Sequence, residues 1–290
     1  MARLISLSFL TLVACSTPVE TSSPEPVVVP AKSISRLDVV RAVVAGEEVA
    51  AVWAREGGPL TLSRFSLAGQ HRGNDEVLAP NTKLATLATD GARYAACWST
   101  MPSASHDETR IACVTAPVGG GAIDTIPSFA GVAPALARGP RGLVLAFGTI
   151  DSQASSSKKL RVHLRELEGA GASWTSEPIE GPSTLDAAIQ VTSTPSGFFI
   201  ASFHGGEGFR VAHDRTTAIG PFPIGKSFGT QPGTENIVAI GDTVAIDRAV
   251  PYSHEYTVID ASNRVTTSLS VGGGVKLGHS AFLWEEAGSF

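Results

Sequence analysis

The chain has 290 residues, of which 43% are hydrophobic and 17% charged, a balance that excludes global disorder and allows a sizeable buried core. Its net charge of −5 argues against a nucleic-acid binder, which normally carries a basic patch and a high isoelectric point. The 30 Gly and 18 Pro favour short strands joined by tight turns, in one large β domain or two smaller ones.

The first element along the chain is a leader. The sequence MARLISLSFLTLVAC begins with a positive charge at Arg3, continues through mostly apolar residues 4–14 and stops at Cys15. A positively charged N-terminal region, a short apolar segment and small residues at the cleavage site are typical of a secretory signal peptide, here residues 1–14. A bilayer-spanning helix needs about 20 residues, so the apolar run is too short for one.

The end of the leader, Leu12-Val13-Ala14-Cys15, resembles the lipobox of bacterial lipoproteins. The resemblance implies cleavage before Cys15, acylation of that cysteine and attachment to a membrane of the cell envelope through the lipid. By the same resemblance, Ser16 after the cysteine implies the outer membrane, on its periplasmic or surface face, in a Gram-negative host. An ordinary cleaved signal peptide is the alternative.

Residues 15–32 are the predicted lipidated cysteine and a tether rich in Pro and Ser. Four prolines lie among Ser and Thr in this stretch: Pro18, Pro24, Pro26 and Pro30. Such a composition favours an extended, poorly packed segment that lifts a domain away from the membrane. The predicted domain then occupies residues 33–290.

An internal repeat dominates the predicted domain. In each unit an apolar strand ends at a Gly-containing turn, and a second apolar strand ends in an aromatic residue. The units are 43–53, 87–98, 136–147, 192–203 and 275–284. The segment 238–248 fits the same frame but carries Arg248 where the others have Trp or Phe.

A third strand and a shorter fourth strand follow in each complete unit. The third strands are 61–67, 109–116, 160–167, 209–215 and 255–261, and the fourth strands are 75–80, 121–126, 173–179, 218–224 and 264–271. Four antiparallel strands that recur with a period of about 40–50 residues are typical of β-propeller blades. Over residues 33–290 the chain broadly resembles exported bacterial propeller proteins, in pattern only.

We therefore expect an all-β fold, a β-propeller of six four-stranded blades. Residues 275–284 supply the inner strands of the last blade, and the N-terminal segments 26–30 and 32–37 complete it. Joining first to last in this way leaves no exposed sheet edge in the ring. A β-sandwich is the alternative, because short strands at even spacing suit either architecture.

Two cysteines remain beyond Cys15. Cys97 and Cys113 lie in apolar, strand-like runs, and the segment between them is polar and rich in turn residues. This pattern predicts an antiparallel hairpin with facing cysteines, close enough for a disulfide in the oxidising compartment that an exported chain enters. Two buried free thiols are the alternative.

One stretch matches a nucleotide-binding motif. In GPFPIGKS, residues 220–227, the glycines, Lys226 and Ser227 satisfy the spacing of a P-loop. A working P-loop opens a helix and offers backbone N–H groups to phosphates, whereas Pro221 and Pro223 have no N–H. We interpret the match as chance and predict no nucleotide site.

Other polar residues form no catalytic or metal-binding pattern. His204 and His213 flank the predicted turn 205–208, but a hairpin there would set His204 opposite Phe209, so a shared metal is not expected. Asp90, Asp151 and Asp242 lie near predicted strand ends, and their spacing selects no pair for glycoside hydrolysis. The segment GHSAF, residues 278–282, lacks the second Gly of a nucleophile elbow.

The charged residues Asp247 and Arg248 depart from the repeat, because they occupy an apolar and an aromatic position. One interpretation is a polar pair near the central channel, where propellers usually bind ligands; a satisfied ion pair or an outward-facing edge is the other.

The sequence favours a membrane-anchored, non-catalytic binding or scaffold propeller for a protein or glycan partner, without cofactor, metal, nucleotide or nucleic acid. An extracellular polysaccharide hydrolase or lyase on the same scaffold is the alternative.

Overall fold

A computed structural model describes residues 37–55, 58–80, 82, 85–100, 109–151, 159–169, 171–181, 188–225, 236–250 and 253–272. These residues form 21 β-strands. The strands of the first two sheets are β1 (Leu37–Ala45), β2 (Glu48–Arg55), β3 (Leu60–Ser66) and β4 (Glu76–Ala79), then β5 (Ala85–Thr89), β6 (Arg93–Thr100), β7 (Arg110–Pro117) and β8 (Asp124–Ala130).

The remaining strands make three further sheets. They are β9 (Val132–Gly139), β10 (Gly142–Asp151), β11 (Lys159–Glu166), β12 (Ser173–Thr175) and β13 (Ile179–Glu180), then β14 (Ile189–Thr194), β15 (Gly197–Ser202), β16 (Glu207–Ala212) and β17 (Ala218–Pro223), and last β18 (Asn236–Ile240), β19 (Thr243–Val250), β20 (Ser253–Ile259) and β21 (Val265–Gly272). In each sheet the strands pair in chain order and antiparallel, except that β12 and β13 both pair with β11.

Successive sheets lie face to face. Four hydrophobic clusters fill the spaces between the first and second, second and third, third and fourth, and fourth and fifth sheets. The first strands of neighbouring sheets contact each other in the series β1, β5, β9, β14 and β18. Sheets that stack in sequence, with their first strands innermost, are the blades of a β-propeller.

The chain is thus an all-β propeller, and the structure describes five of its blades, numbered here 1 to 5 from the N-terminus. The predicted strands of these blades are confirmed to within a few residues at their ends. The predicted sixth blade rests on residues 26–37 and 275–284; apart from Leu37, which begins β1, these lie outside the described residues.

The burial of each strand follows from its place in the blade. Strand β15 is buried along its whole length, because neighbouring blades cover both of its faces. The outermost strands β8 and β17 are mostly exposed. Glycines of the repeat make the turns between first and second strands: Gly46 and Gly241 have φ angles of 57° and 60°, which side chains with a Cβ rarely adopt.

The predicted disulfide is present. Cys97 of β6 and Cys113 of β7 face each other directly, with Cα atoms 4.1 Å apart and both residues buried. Closing a loop of this length stabilises the fold by roughly 3 kcal/mol in the chain-entropy model.

The predicted register of one hairpin is wrong. The turn between β15 and β16 occupies residues 203–206, so Phe209 pairs with Ile200 and His204 lies in the turn itself. Gly208 belongs to β16 and not to the turn. A Cβ on Gly208 would lie 2.7 Å from side-chain carbons of Ile224 and Phe222, so a glycine is needed there for close packing.

No helix long and apolar enough to cross a membrane occurs among the described residues.

Candidate functional site

Arginine and acidic side chains connect neighbouring blades on one face of the propeller, called here the turn face. It is formed by the turns between first and second strands, at residues 46–47, 90–92, 140–141, 195–196 and 241–242. Arg93 of blade 2 reaches Glu168 of blade 3 with both terminal nitrogens, at 2.9 and 2.8 Å. Because both side chains are well exposed, this bidentate pair stabilises the fold by at most about 1 kcal/mol.

Blades 4 and 5 are joined by Arg210 on β16. Its Nε donates a hydrogen bond to Asn263 Oδ1 at 2.6 Å, and Nη2 donates to the carbonyl oxygens of Asp242 and Asp260 at 2.8 and 2.9 Å. Asp242 in turn accepts hydrogen bonds from the Ser196 hydroxyl and backbone N–H, which lower the pKa of its carboxyl group. This aspartate is occupied in linking two blades.

A small cleft lies between blades 3 and 4 on the turn face. Arg141, Glu166, His213 and Arg215 line it. Arg215 is buried and its Nη1 donates to Glu166 Oε1 at 3.2 Å, while the His213 ring stands edge-on to Phe198 with ring centres 5.0 Å apart. His213 thus lies in an interblade cleft, and His204 lies in the turn at residues 203–206.

Between blades 1 and 2, buried charged and phenolic groups accompany the hydrophobic cluster. Glu48, Arg64 and Tyr94 are all buried. Glu48 Oε1 accepts a hydrogen bond from the Gly119 N–H at 3.4 Å, and Arg64 Nη2 is 3.1 Å from Glu76 Oε1. Burial, and then the nearby Glu48 carboxylate, raise the pKa of Tyr94, so its hydroxyl stays protonated near neutral pH and does not serve as a base.

A chain of hydrogen bonds on blade 1 contains serine, aspartate and histidine. Trp53 Nε1 donates to Ser63 Oγ at 2.7 Å, Ser63 Oγ donates to Asp75 Oδ1 at 2.5 Å, and His71 Nε2 lies 2.8 Å from the same oxygen. In a hydrolytic triad the histidine contacts the serine and takes its proton. Here the aspartate lies between them, so the chain fastens the β3–β4 connection and does not activate Ser63.

Cationic and aromatic side chains meet where blades 2 and 3 face each other. Phe147 of β10 stacks on His163 of β11 with ring centres 4.8 Å apart, and Phe129 of β8 meets Phe147 edge-on at 5.1 Å. The guanidinium carbon of Arg165 lies 3.8 Å from the centre of the Phe129 ring. We call this the blade 2/3 groove, defined by Phe129, Phe147, Arg161, His163 and Arg165.

The orientation of His163 in this groove is fixed by two threonines. Its Nε2 lies 2.8 Å from Thr149 Oγ1 and its Nδ1 lies 3.0 Å from Thr175 Oγ1. Burial, followed by the charges of Arg161 and Arg165, lowers the pKa of His163. The imidazole therefore stays neutral near pH 7, and the arginines carry the charge of the groove.

Asp247, of the predicted polar pair, is buried on β19, opposite Asn236 of β18 and Tyr256 of β20. Burial and the Asp247 charge raise the pKa of Tyr256. The backbone of Arg248 pairs with that of Glu255. Asp247 thus lies one strand away from the innermost strand of its blade, and a ligand role for the pair stays a prediction.

The other predicted candidates lie apart in the fold. Asp90 of blade 2 accepts hydrogen bonds from the N–H groups of Ala92 and Arg93, and so closes its own turn. Asp151 ends β10 of blade 3, and Asp242 belongs to blade 5. In the P-loop match, residues 220–223 form the end of the edge strand β17, while Lys226 and Ser227 lie outside the described residues. The segment 278–282, considered as a nucleophile elbow, also lies outside them.

The alternation of Arg161, His163 and Arg165 with apolar residues is visible in the sequence of β11, but nothing in the sequence points to the partner Phe129, 36 positions before Arg165 and on another blade. No group of three or more His, Cys, Asp or Glu placed to hold a metal ion occurs in the part of the chain that the structure describes.

No protein-family model and no curated protein sequence matches the chain. Among solved structures, it is similar to the nidogen–laminin complex, with 13% identity and a TM-score of 0.47 over 77% of this chain and 75% of that one. It is similar to TolB from Acinetobacter baumannii, with 12% identity and a TM-score of 0.43 over 81% and 67% of the two chains. It is also similar to the periplasmic gluconolactonase PpgL of Pseudomonas aeruginosa, with 13% identity and a TM-score of 0.47 over 77% of this chain and 66% of that one. Likenesses this weak leave the function open.

Proposed function

We propose that this chain is an exported lipoprotein, anchored to the cell envelope through Cys15, whose propeller binds a protein or glycan partner without chemically transforming it. In a Gram-negative host the anchor lies in the outer membrane. The anchor rests on the leader sequence, and the binding function rests on the use that the described blades make of their polar groups.

One observation carries the non-catalytic part of this proposal. Several carboxylates among the described residues are engaged in contacts within the protein: Asp75 with Ser63 and His71, Asp90 with its own turn, and Asp242 with Ser196. Glu166 and Glu168 are paired with arginines of neighbouring blades. Groups used in this way stiffen a scaffold, and a rigid scaffold presents its loops for recognition.

The anchor is tested by mass spectrometry of the mature protein isolated from bacterial membranes. We expect the N-terminal peptide to begin at Cys15 and to carry fatty acyl groups. Cys15→Ser should prevent acylation and release the protein from the membrane fraction. An N-terminus at another residue, or a membrane-bound Cys15→Ser protein, would contradict the anchor.

The binding function is tested with the full chain in detergent micelles, screened against an array of cell-envelope and extracellular glycans and by chemical cross-linking in cells. We expect saturable binding to a partner that is recovered unchanged. If a bound polysaccharide were shortened, and substitution of one carboxylate abolished the shortening, the non-catalytic proposal would fail in favour of a hydrolase or lyase.

A further inference from the structure

The blade 2/3 groove carries a concentration of positive charge on a chain whose net charge is −5. Residues Lys159, Arg161, His163 and Arg165 alternate along β11, so they share the face of the strand that looks toward blade 2. The opposite face, with Leu160, Val162 and Leu164, is buried in the hydrophobic cluster shared with blade 4. One strand thus serves the core with one face and offers cations on the other.

The charge is centred on two guanidinium groups. Lys159 lies opposite two acidic residues, Asp151 of β10 and Glu180 of β13, whereas Arg161 and Arg165 lie opposite Thr149 and Leu145 of β10. On blade 2 the carboxylate of Asp124 lies at the far end of β8, about 16 Å along the strand from Phe129. Arg161 and Arg165 are therefore the cations available to a ligand at the centre of the groove.

The two arginines are spaced for a ligand that carries separated anionic groups. Arg161 and Arg165 are four residues apart on one strand, so their Cα atoms are about 13 Å apart. Stacking on Phe129 holds the Arg165 guanidinium in place before a ligand arrives. A guanidinium group matches the two oxygens of a carboxylate. Ser173 and Thr175 of β12 lie on the same side of the sheet and add hydroxyl groups.

The edge of blade 3 favours a glycan over a polypeptide. A bound peptide commonly adds a strand to a continuous sheet edge and gains affinity from backbone hydrogen bonds. The outermost strand of blade 3 is broken into β12 and β13, of three and two residues, and Ser176 between them uses its own backbone and side chain to bond Val162. The groove therefore offers side chains rather than a backbone ladder.

We propose that the blade 2/3 groove binds an anionic polysaccharide of the uronic-acid type, with Arg161 and Arg165 contacting carboxylate groups on separate sugar units. The inference rests on the proposed binding function and names the class of its ligand. Phe129, which holds Arg165, acts as a positioning residue.

The test measures the affinity of the full chain in detergent micelles for polygalacturonate at low ionic strength. Fully methyl-esterified polygalacturonate keeps the sugar backbone without the charge and serves as the ligand control. We expect binding to polygalacturonate that weakens by at least about tenfold on esterification. Absence of binding to polygalacturonate, or equal affinity for the ester, would overturn the proposal.

Single substitutions test whether the polysaccharide binds at the blade 2/3 groove. Arg161→Gln should weaken binding about tenfold, and Arg161→Lys should weaken it less, because lysine keeps the charge but loses the planar fork. Arg264→Gln is the matched control, since it removes one charge from an exposed arginine in a turn of blade 5 and should leave affinity unchanged. Equal losses in Arg161→Gln and Arg264→Gln would indicate nonspecific attraction and overturn the proposal. The melting temperatures of the variants verify that each is folded.

Two further outcomes separate this inference from the proposed function. If poly-L-glutamate bound more tightly than polygalacturonate and depended on Arg161, the groove would be a site for acidic polypeptides and the glycan assignment would be wrong. If the chain bound another partner with full affinity in Arg161→Gln, the binding function would stand without this site. Shortening of polygalacturonate with retained Arg161 dependence would refute the non-catalytic function and keep the site.

Discussion

The two faces of strand β11 place opposite demands on one short sequence. Toward blade 4, Leu160, Val162 and Leu164 are fully buried in the hydrophobic cluster between the third and fourth sheets. Toward blade 2, Arg161, His163 and Arg165 are only partly buried, among aromatic rings and hydroxyl groups. One face thus serves stability and the other carries the proposed recognition, and substitutions on the two faces should separate these properties.

The largest effect is expected on the apolar face. Leu164→Ala leaves a cavity in a close-packed interface and should lower the free energy of unfolding by about 3–4 kcal/mol. Urea denaturation followed by tryptophan fluorescence measures this change. Leu164→Met nearly conserves volume and should cost less than about 1.5 kcal/mol. If the two variants were equally stable, the interface would not be closely packed.

Loss of the disulfide within blade 2 should have the next largest effect on stability. Replacing both Cys97 and Cys113 by Ala should lower the free energy of unfolding by roughly 3 kcal/mol, because the unfolded chain regains the freedom of the closed loop. Reduction of the wild-type protein under denaturing conditions, followed by refolding in reductant, should give the same loss. An unchanged denaturation midpoint in the double variant would contradict the contribution assigned to this bond.

A smaller effect is expected from the stack in the groove. Arg165→Ala removes the guanidinium from the Phe129 ring and should cost only about 1 kcal/mol of stability. Arg165→Met retains contact with the ring through an apolar side chain and should cost less. A loss as large as that of Leu164→Ala would mean that both faces of β11 are structural, and the contrast between them would fail.

The smallest effect is expected in the pH dependence of stability that His163 contributes. Burial lowers the pKa of His163 below that of the unfolded chain, so its stabilising contribution is fully present above about pH 6.5 and is lost as the pH falls below that value. His163→Gln should reduce the difference in unfolding free energy between pH 7 and pH 5. An unaltered difference in this variant would show that the ring accepts its proton as readily in the folded state as in the unfolded one.

The sequence was sufficient to predict the strands because each one has a local signature. Glycine turns such as those at Gly46 and Gly241, and apolar strands closed by Trp98 or Phe147, recur 45 to 56 residues apart in the five described blades and mark successive blades. The disulfide followed from the same hairpin. These features depend on residues that are neighbours in sequence.

Contacts between blades could not be read from the sequence. Arg215 and Glu166 are 49 positions apart, and their pairing depends on the positive-φ conformation of Arg215 within its turn and on the angle between blades 3 and 4. The β15–β16 register was missed for a related reason. Gly208 looks like a turn residue in sequence, but it is required by the side chains of Phe222 and Ile224, which arrive from the next strand and the segment after it.

The most direct test of the division between the two faces measures stability and binding on one variant, Arg161→Gln. We expect the free energy of unfolding to stay within about 0.5 kcal/mol of the wild type, as for most surface substitutions, while affinity for polygalacturonate falls about tenfold. An Arg161→Gln protein that lost stability but kept its affinity would refute the division of roles between the two faces of β11.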